Sequence, residues 1–213
     1  MYYLNPETRS LEYDTTLAIC DATTGNVIDK LFIDFPSLKE ITECSSNVCL
    51  NKSYMNYNFI TFQTDIETNI SQLQQYLNDR TSIKEHQQCS NEKCDGIKKT
   101  KFLISPMHLF IDVLFWEGED MISSQRSSEA ATLMKLKLCD IPQILTHGTN
   151  NYELRGVLCF YKGKGGLRSS VGHYTAYTKR YGRNWELFDD LKKKPIPVKE
   201  TTTVNCEFLV YTV

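Results

Sequence analysis

The chain has 213 residues, 41% of them apolar and 23% charged, with a formal net charge of -2. This is ordinary globular composition, enough for one domain with a real core or a core plus a small subdomain, and it excludes wholesale disorder. No basic excess points to nucleic acid or an anionic membrane, and the run Lys192-Lys193-Lys194 reads as a solvated loop.

The amino terminus, Met1 to Pro6, has no basic region followed by an apolar stretch, so no signal peptide is expected. The most apolar window, Phe102 to Trp116, is interrupted by Pro106, His108 and Asp112 and is too short to span a bilayer. These features predict an intracellular protein, cytoplasmic or nuclear, in which eight cysteines call for a metal reading before a disulfide one.

Residues 27–35 alternate apolar and polar positions and predict a strand, as do residues 57–63. Ile66, Ile70, Leu73 and Leu77 fall at helical spacing and predict a short amphipathic helix, with Thr64 or Asp65 available as its cap. Residues 99–116 contain two strand-like runs, and the polar, Ser-rich segment 117–130 predicts a loop. From Met134 onward the pattern is strand and turn, the signature of an antiparallel sheet.

Two pairs of cysteines punctuate the first half. Cys44 and Cys49 enclose four residues, as do Cys89 and Cys94, and 39 residues separate the pairs. Four thiolates from two knuckles suit tetrahedral zinc in a closed, structural site. The bland alternative is four free cysteines in surface turns. His86 is a lower-ranked ligand, and Cys139, Cys159 and Cys206 read as packing residues on strands.

The second constellation is a histidine and two carboxylates. His173 opens the alternating run HYTAY, and Trp185-Glu186-Leu187-Phe188 ends in Asp189 and Asp190. If these strands are antiparallel neighbours, Asp189 faces the His173 imidazole. A general-base histidine needs such a partner to set its tautomer and orientation, and a thiol nucleophile needs the histidine to become a thiolate.

Around these residues the chain resembles the ubiquitin-specific protease family. The resemblance rests on Tyr152 to Val157, Gly172-His173-Tyr174-Thr175-Ala176-Tyr177, Trp185 to Asp190, and the closing Phe208-Leu209-Val210-Tyr211. It implies an α+β, papain-like palm with an antiparallel sheet and a zinc-binding β fingers subdomain, with the thumb largely absent. Residues 1–27 would be a remnant of the thumb or an extension, 36–100 the fingers and 101–213 the palm. It implies His173 as catalytic histidine, Asp189 as the aspartate that orients it and Asp190 as an assisting carboxylate. Cys44, Cys49, Cys89 and Cys94 would hold structural zinc, and ubiquitin or a ubiquitin-like modifier would be the partner.

The family's Gly-Asn-Thr-Cys-Tyr nucleophile box has no match. Cys20, the one cysteine upstream of the pairs, lacks its flanking residues, Phe160 stands where the family often has histidine, and the pairs are spaced by four residues rather than two. Three functions follow from the resemblance: a thiol-dependent deubiquitinase domain if a nucleophile is supplied, a non-catalytic module that binds ubiquitin or another protein partner, or a zinc-stabilised scaffold.

Overall fold

The computed structural model describes residues 7–10, 16–19, 23–49, 51–62, 69–114, 131–162, 172–180 and 184–213, with backbone alone at 7–10, 16–19 and 86–87. The elements begin with β1 (Glu7–Ser10), β2 (Thr16–Ile19), α1 (Thr24–Leu31), β3 (Leu38–Cys44), β4 (Lys52–Tyr57) and β5 (Ile60–Thr61). A 3-10 turn (Ile70–Gln72) leads into α2 (Leu73–Thr81), followed by β6 (Lys84–Gln88), β7 (Ile97–Ile104) and β8 (His108–Asp112). The rest is strand: β9 (Met134–Lys137), β10 (Ile144–His147), β11 (Asn150–Tyr161), β12 (His173–Lys179), β13 (Trp185–Phe188), β14 (Ile196–Val198) and β15 (Thr203–Thr212).

Among the described residues the strands form three sheets. A nine-stranded sheet runs β14-β13-β12-β11-β15-β8-β5, with β10 added to β11 and β9 to β15; a four-stranded sheet runs β4-β3-β7-β6, and β1 pairs with β2. All pairings are antiparallel except β5 with β8. Sheet dominance with few helices makes this an α+β fold, as expected from the sequence. No helix among the described residues is long and apolar enough to cross a membrane.

The central strands are buried on both faces. Leu109, Ile111, Leu209 and Tyr211 belong to the main core, while their alternating neighbours Phe110 and Phe208 pack with Ile28 of α1. Each such side chain, fully buried, contributes about 1.5–3 kcal/mol. This two-sided burial explains why all five residues of β8 are buried.

Three expectations are corrected. The segment 27–35 is not a strand: α1 occupies Thr24–Leu31, and the Thr23 side chain accepts the Asn26 N–H to cap it. Ile28 and Phe32, four residues apart, pack on Phe110 and Phe208, so a short apolar segment that fits either period is settled by its cap and by tertiary packing. Gly25 allows the close approach: a Cβ there would lie 2.9 Å from Phe59 Cζ. Residues 57–63 do not form one strand either. The chain leaves the four-stranded sheet after Tyr57 and joins the larger sheet at Ile60, and the Asn58 amide in between donates to Asp29 O and Oδ1, both at 3.2 Å.

The predicted helix is present from Ile70 but runs on to Thr81, with Ile70, Leu73 and Leu77 all buried. Asn69 caps its 3-10 entry by accepting the Ser71 N–H; the expected caps Thr64 and Asp65, with Ile66, lie outside the described residues. The third correction is Cys139, which sits exposed on a 3-10 turn (Leu138–Asp140) instead of packing on a strand. Cys159 and Cys206 are buried, as expected. The predicted loop 117–130 lies outside the described residues.

Candidate active site and metal centre

The histidine and its carboxylate are brought together by strand register. β12 and β13 pair with Ala176 opposite Phe188 and Tyr177 opposite Leu187, which places the end of β13 beside the start of β12. His173 Nε2 lies 2.9 Å from Asp189 Oδ1 and 3.6 Å from Asp190 Oδ1. The backbone N–H of Leu191 donates to the same Asp189 Oδ1 at 2.9 Å. Hydrogen bonding from His173 first, and then from Leu191, holds the Asp189 carboxyl below its ordinary value.

An ionised carboxylate only accepts, so the Nε2 facing it carries the proton. In the neutral ring Nδ1 is then left with its lone pair, which makes it the basic nitrogen. His173 is about one-third exposed (32%), Asp189 is nearly covered (13%) and Asp190 stands in solvent (83%). Beside them a hollow of about 540 Å³ is lined by Leu158, Tyr174, Ala176, Phe188 and both aspartates. Phe160 packs against Tyr174 there, ring centroids 4.8 Å apart.

No described cysteine hydrogen bonds to His173. Four of the seven form the cluster below, Cys159 and Cys206 are buried, and Cys139 Sγ donates to Asp140 Oδ1 at 3.6 Å. Cys20 lies outside the described residues.

Cys44, Cys49, Cys89 and Cys94 converge at one end of the four-stranded sheet, their sulfur atoms all within 4.8 Å of one another. The closest pairs are Cys44 with Cys94 at 3.5 Å and Cys49 with Cys89 at 3.6 Å. Four sulfurs at about 2.3 Å from a tetrahedral zinc stand about 3.8 Å apart, so the set could hold the ion after small adjustment. Each knuckle is a tight turn, closed by Cys49 N–H to Ser46 O (3.1 Å) and Cys94 N–H to Asn91 O (2.9 Å). The four-residue spacing is therefore taken up by one turn. The long intervening segment, which includes β4, α2 and β6, returns the chain to the same end of the sheet.

N–H donors aimed at the sulfurs ease the ionisation of one thiol, while Cys44 and Cys49 are held above the ordinary thiol value. Ser46 N–H points at Cys44 Sγ and Gly96 N–H at Cys94 Sγ, both at 3.4 Å, and the Asn51 amide reaches Cys89 Sγ at 3.8 Å. The Cys89 thiol is pushed down to about 7, chiefly by the Asn91 backbone N–H. Cys44 goes up to about 12; the Ser46 N–H lowers it, but burial and the neighbouring thiols outweigh that donor. Four thiols this close cannot all ionise unless a cation neutralises them. The His86 side chain lies outside the described residues.

Sequence reasoning missed three participants: the Leu191 N–H, Asn51 and Gly96. Backbone donors leave no trace in residue type. For Gly96 the signal was a glycine two residues past the second knuckle, where a Cβ would lie 2.5 Å from Cys44 Sγ.

A search of curated proteins finds no match. Among solved structures, the chain aligns with the SAGA Ubp8/Sgf11/Sus1/Sgf73 DUB module bound to ubiquitin aldehyde at 18% identity and TM-score 0.47, over 82% of this chain and 40% of that one. It aligns with a SAGA DUB module containing Ubp8 and bound to monoubiquitin at 15% identity and TM-score 0.49, over 88% and 45%. A yeast SAGA DUB module with an Sgf73 mutant gives 18% identity and TM-score 0.46, over 83% and 40%. The chain thus spans less than half the length of these solved chains. The family model described as ubiquitin carboxyl-terminal hydrolase matches residues 35–211, a span that holds His173, Asp189, Asp190 and all four clustered cysteines. The chain belongs to the ubiquitin carboxyl-terminal hydrolase family, that of the ubiquitin-specific proteases.

Proposed function

We propose that this chain is the base-bearing part of a thiol-dependent deubiquitinase, hydrolysing ubiquitin isopeptide bonds once a cysteine nucleophile stands opposite His173. The observation that carries the reading is the 2.9 Å His173–Asp189 contact, which leaves Nδ1 as the base. In the proposed cycle, Nδ1 takes the thiol proton and the thiolate attacks the isopeptide carbonyl carbon. The imidazolium then gives that proton to the departing lysine amine. In the second half Nδ1 takes a proton from water, whose oxygen attacks the thioester carbon, and returns it to the thiolate. Asp189 stays ionised throughout and stabilises the imidazolium, with Asp190 assisting.

In this reading the four-stranded sheet corresponds to fingers (36–100), the later strands to a palm (101–213), and residues 1–27 to a thumb remnant or extension. Cys44, Cys49, Cys89 and Cys94 would hold structural zinc, which contributes folding energy and no chemistry. Free thiols and a thiolate metal site suit a reducing compartment, in keeping with an intracellular, cytoplasmic or nuclear, protein.

A second reading is a non-catalytic module that binds ubiquitin or another protein, favoured by the absence of a described cysteine in contact with His173. Ubiquitin carrying a carboxyl-terminal electrophile separates the two. Covalent capture lost on His173→Gln supports the base role, whereas reversible binding without capture supports the module. No binding of ubiquitin in either form would refute the deubiquitinase and the ubiquitin-binding module, leaving a module for another protein or a zinc-stabilised scaffold.

A further inference from the structure

The second carboxylate of the site, assisting in the proposed cycle, makes no hydrogen bond to the imidazole. One carboxylate suffices to orient an imidazole, and Asp189 does so at 2.9 Å. Asp190 Oδ1 stands 3.6 Å from the same Nε2, beyond a hydrogen bond. That separation is near the spacing of two ligands of a single ion, while the 2.9 Å between His173 and Asp189 is shorter and must open when an ion enters. With metal–nitrogen and metal–oxygen bonds of about 2.1 Å, neighbouring donors of a tetrahedral ion stand about 3.4 Å apart. The donor atoms of His173, Asp189 and Asp190 all lie within 4.8 Å of one another. A histidine nitrogen with two carboxylates is a ligand set for a borderline divalent cation such as zinc, and three protein ligands leave a position open for water. The adjoining hollow of about 540 Å³, lined by both aspartates, gives that position room.

We propose that His173, Asp189 and Asp190 form a second divalent-cation site of the Zn²⁺ class, distinct from the cysteine cluster, and that its occupation switches the base off. Binding is argued from the donor geometry alone; its consequence rests on the function proposed above. The cation takes the Nε2 lone pair, so the single proton of the neutral ring moves from Nε2 to Nδ1. Asp189 exchanges an accepted hydrogen bond for coordination, and Asp190, mostly solvent-exposed, closes on the ion. Nδ1, now protonated, cannot accept the thiol proton. No bond is made or broken beyond coordination and this one proton shift. Metal binding and base catalysis therefore exclude each other.

The test uses the whole chain with its cysteine cluster already loaded with zinc and excess metal removed, titrated with Zn²⁺ alone by calorimetry. One further equivalent is expected. His173→Gln should abolish it, and Asp190→Asn should weaken it roughly tenfold or more, since even outer-shell changes cost 10–100-fold. Absence of a further equivalent, or one unchanged in His173→Gln, overturns the site. Nitrogen NMR of the histidine rings, assigned with that variant, reads the consequence independently: Nε2 protonated without added zinc, Nδ1 protonated with it. A ring already protonated at Nδ1 before zinc is added would refute the base reading while leaving the metal site standing; a proton still on Nε2 in the zinc complex would overturn the switch.

Discussion

Gly96→Ala tests the cysteine cluster at its tightest point. A Cβ at residue 96 would sit 2.5 Å from Cys44 Sγ, and ordinary contact begins at 3.4 Å, so the sulfur must retreat by about 0.9 Å. Without metal Cys44 Sγ ends a one-torsion side chain and can turn away, which leaves Ser46 Cβ at 3.1 Å and Ser46 N at 3.2 Å to give by a few tenths of an ångström. Gly96 is not among the residues of positive φ, so alanine also loses less chain entropy on folding than glycine does. The metal-free variant should therefore stay within about 1 kcal/mol of wild type. With zinc bound the same displacement is several times the ~0.2 Å that a metal–ligand distance tolerates, and one of four ligands is lost. If the ~10–16 kcal/mol of a structural site is shared among four thiolates, the loss is about 3 kcal/mol, on the order of 100-fold in affinity. Competition against a chromophoric chelator measures the affinity, and thermal melts with and without zinc measure the two stabilities. A variant that holds zinc as tightly as wild type would refute the tetrahedral assignment. A variant equally destabilised with and without metal would show that Gly96 serves backbone packing instead.

Other expectations follow from single contacts. The Asp189 carboxyl is held below its ordinary value, so its contribution is present above about pH 3.9 and lost as pH falls through the depressed value. The stability gap between wild type and Asp189→Asn should therefore close on acidification, and a gap independent of pH would contradict the ion pair. Asp112 behaves in the opposite sense: burial, with Glu207 and Asp29 adding repulsion, pushes its carboxyl up to about 7 against the Leu114 N–H donor. The folded chain then holds a proton that the unfolded chain has released, and stability falls between about pH 4 and 7. Asp112→Asn should gain roughly 2–4 kcal/mol in denaturant unfolding at pH 8 and little at pH 4. Thr23→Ala removes the acceptor for Asn26 N–H at 3.2 Å and should cost about 1 kcal/mol. A loss below the error of denaturant titration would place the start of α1 in tertiary packing rather than in its cap.

Sequence legibility followed the range over which each feature is determined. The dyad was readable because both members lie on neighbouring strands joined by a short connection, so alternation and turn length alone bring Asp189 to His173. The cysteines were readable as a cluster that could hold a metal ion, but not the reason for their wide spacing, which depends on β4 and β6 becoming opposite edges of one sheet. Helix α1 was misread because its identity is decided by residues far away in the chain. Ile28 packs on Phe110 and Phe208, and the Thr24 N–H donates at 2.7 Å to Glu207, 183 residues later.

Glu207 shows how such a contact arises without a sequence signature. In the pairing of β11 with β15, Leu158 faces Phe208 while Cys159 faces Cys206, so Glu207 is the extra residue of a bulge. A regular strand would point alternate residues to opposite faces; the bulge re-aims one of them. Here it turns a glutamate, wholly buried, toward the start of α1, where peptide dipoles and unsatisfied N–H groups favour negative charge. The alternation of residues 203–212 predicts the strand but not the bulge. A carboxylate that reads as a surface residue is instead part of what seats α1 on the sheet, and that seat, rather than the local pattern of residues 27–35, decides between helix and strand.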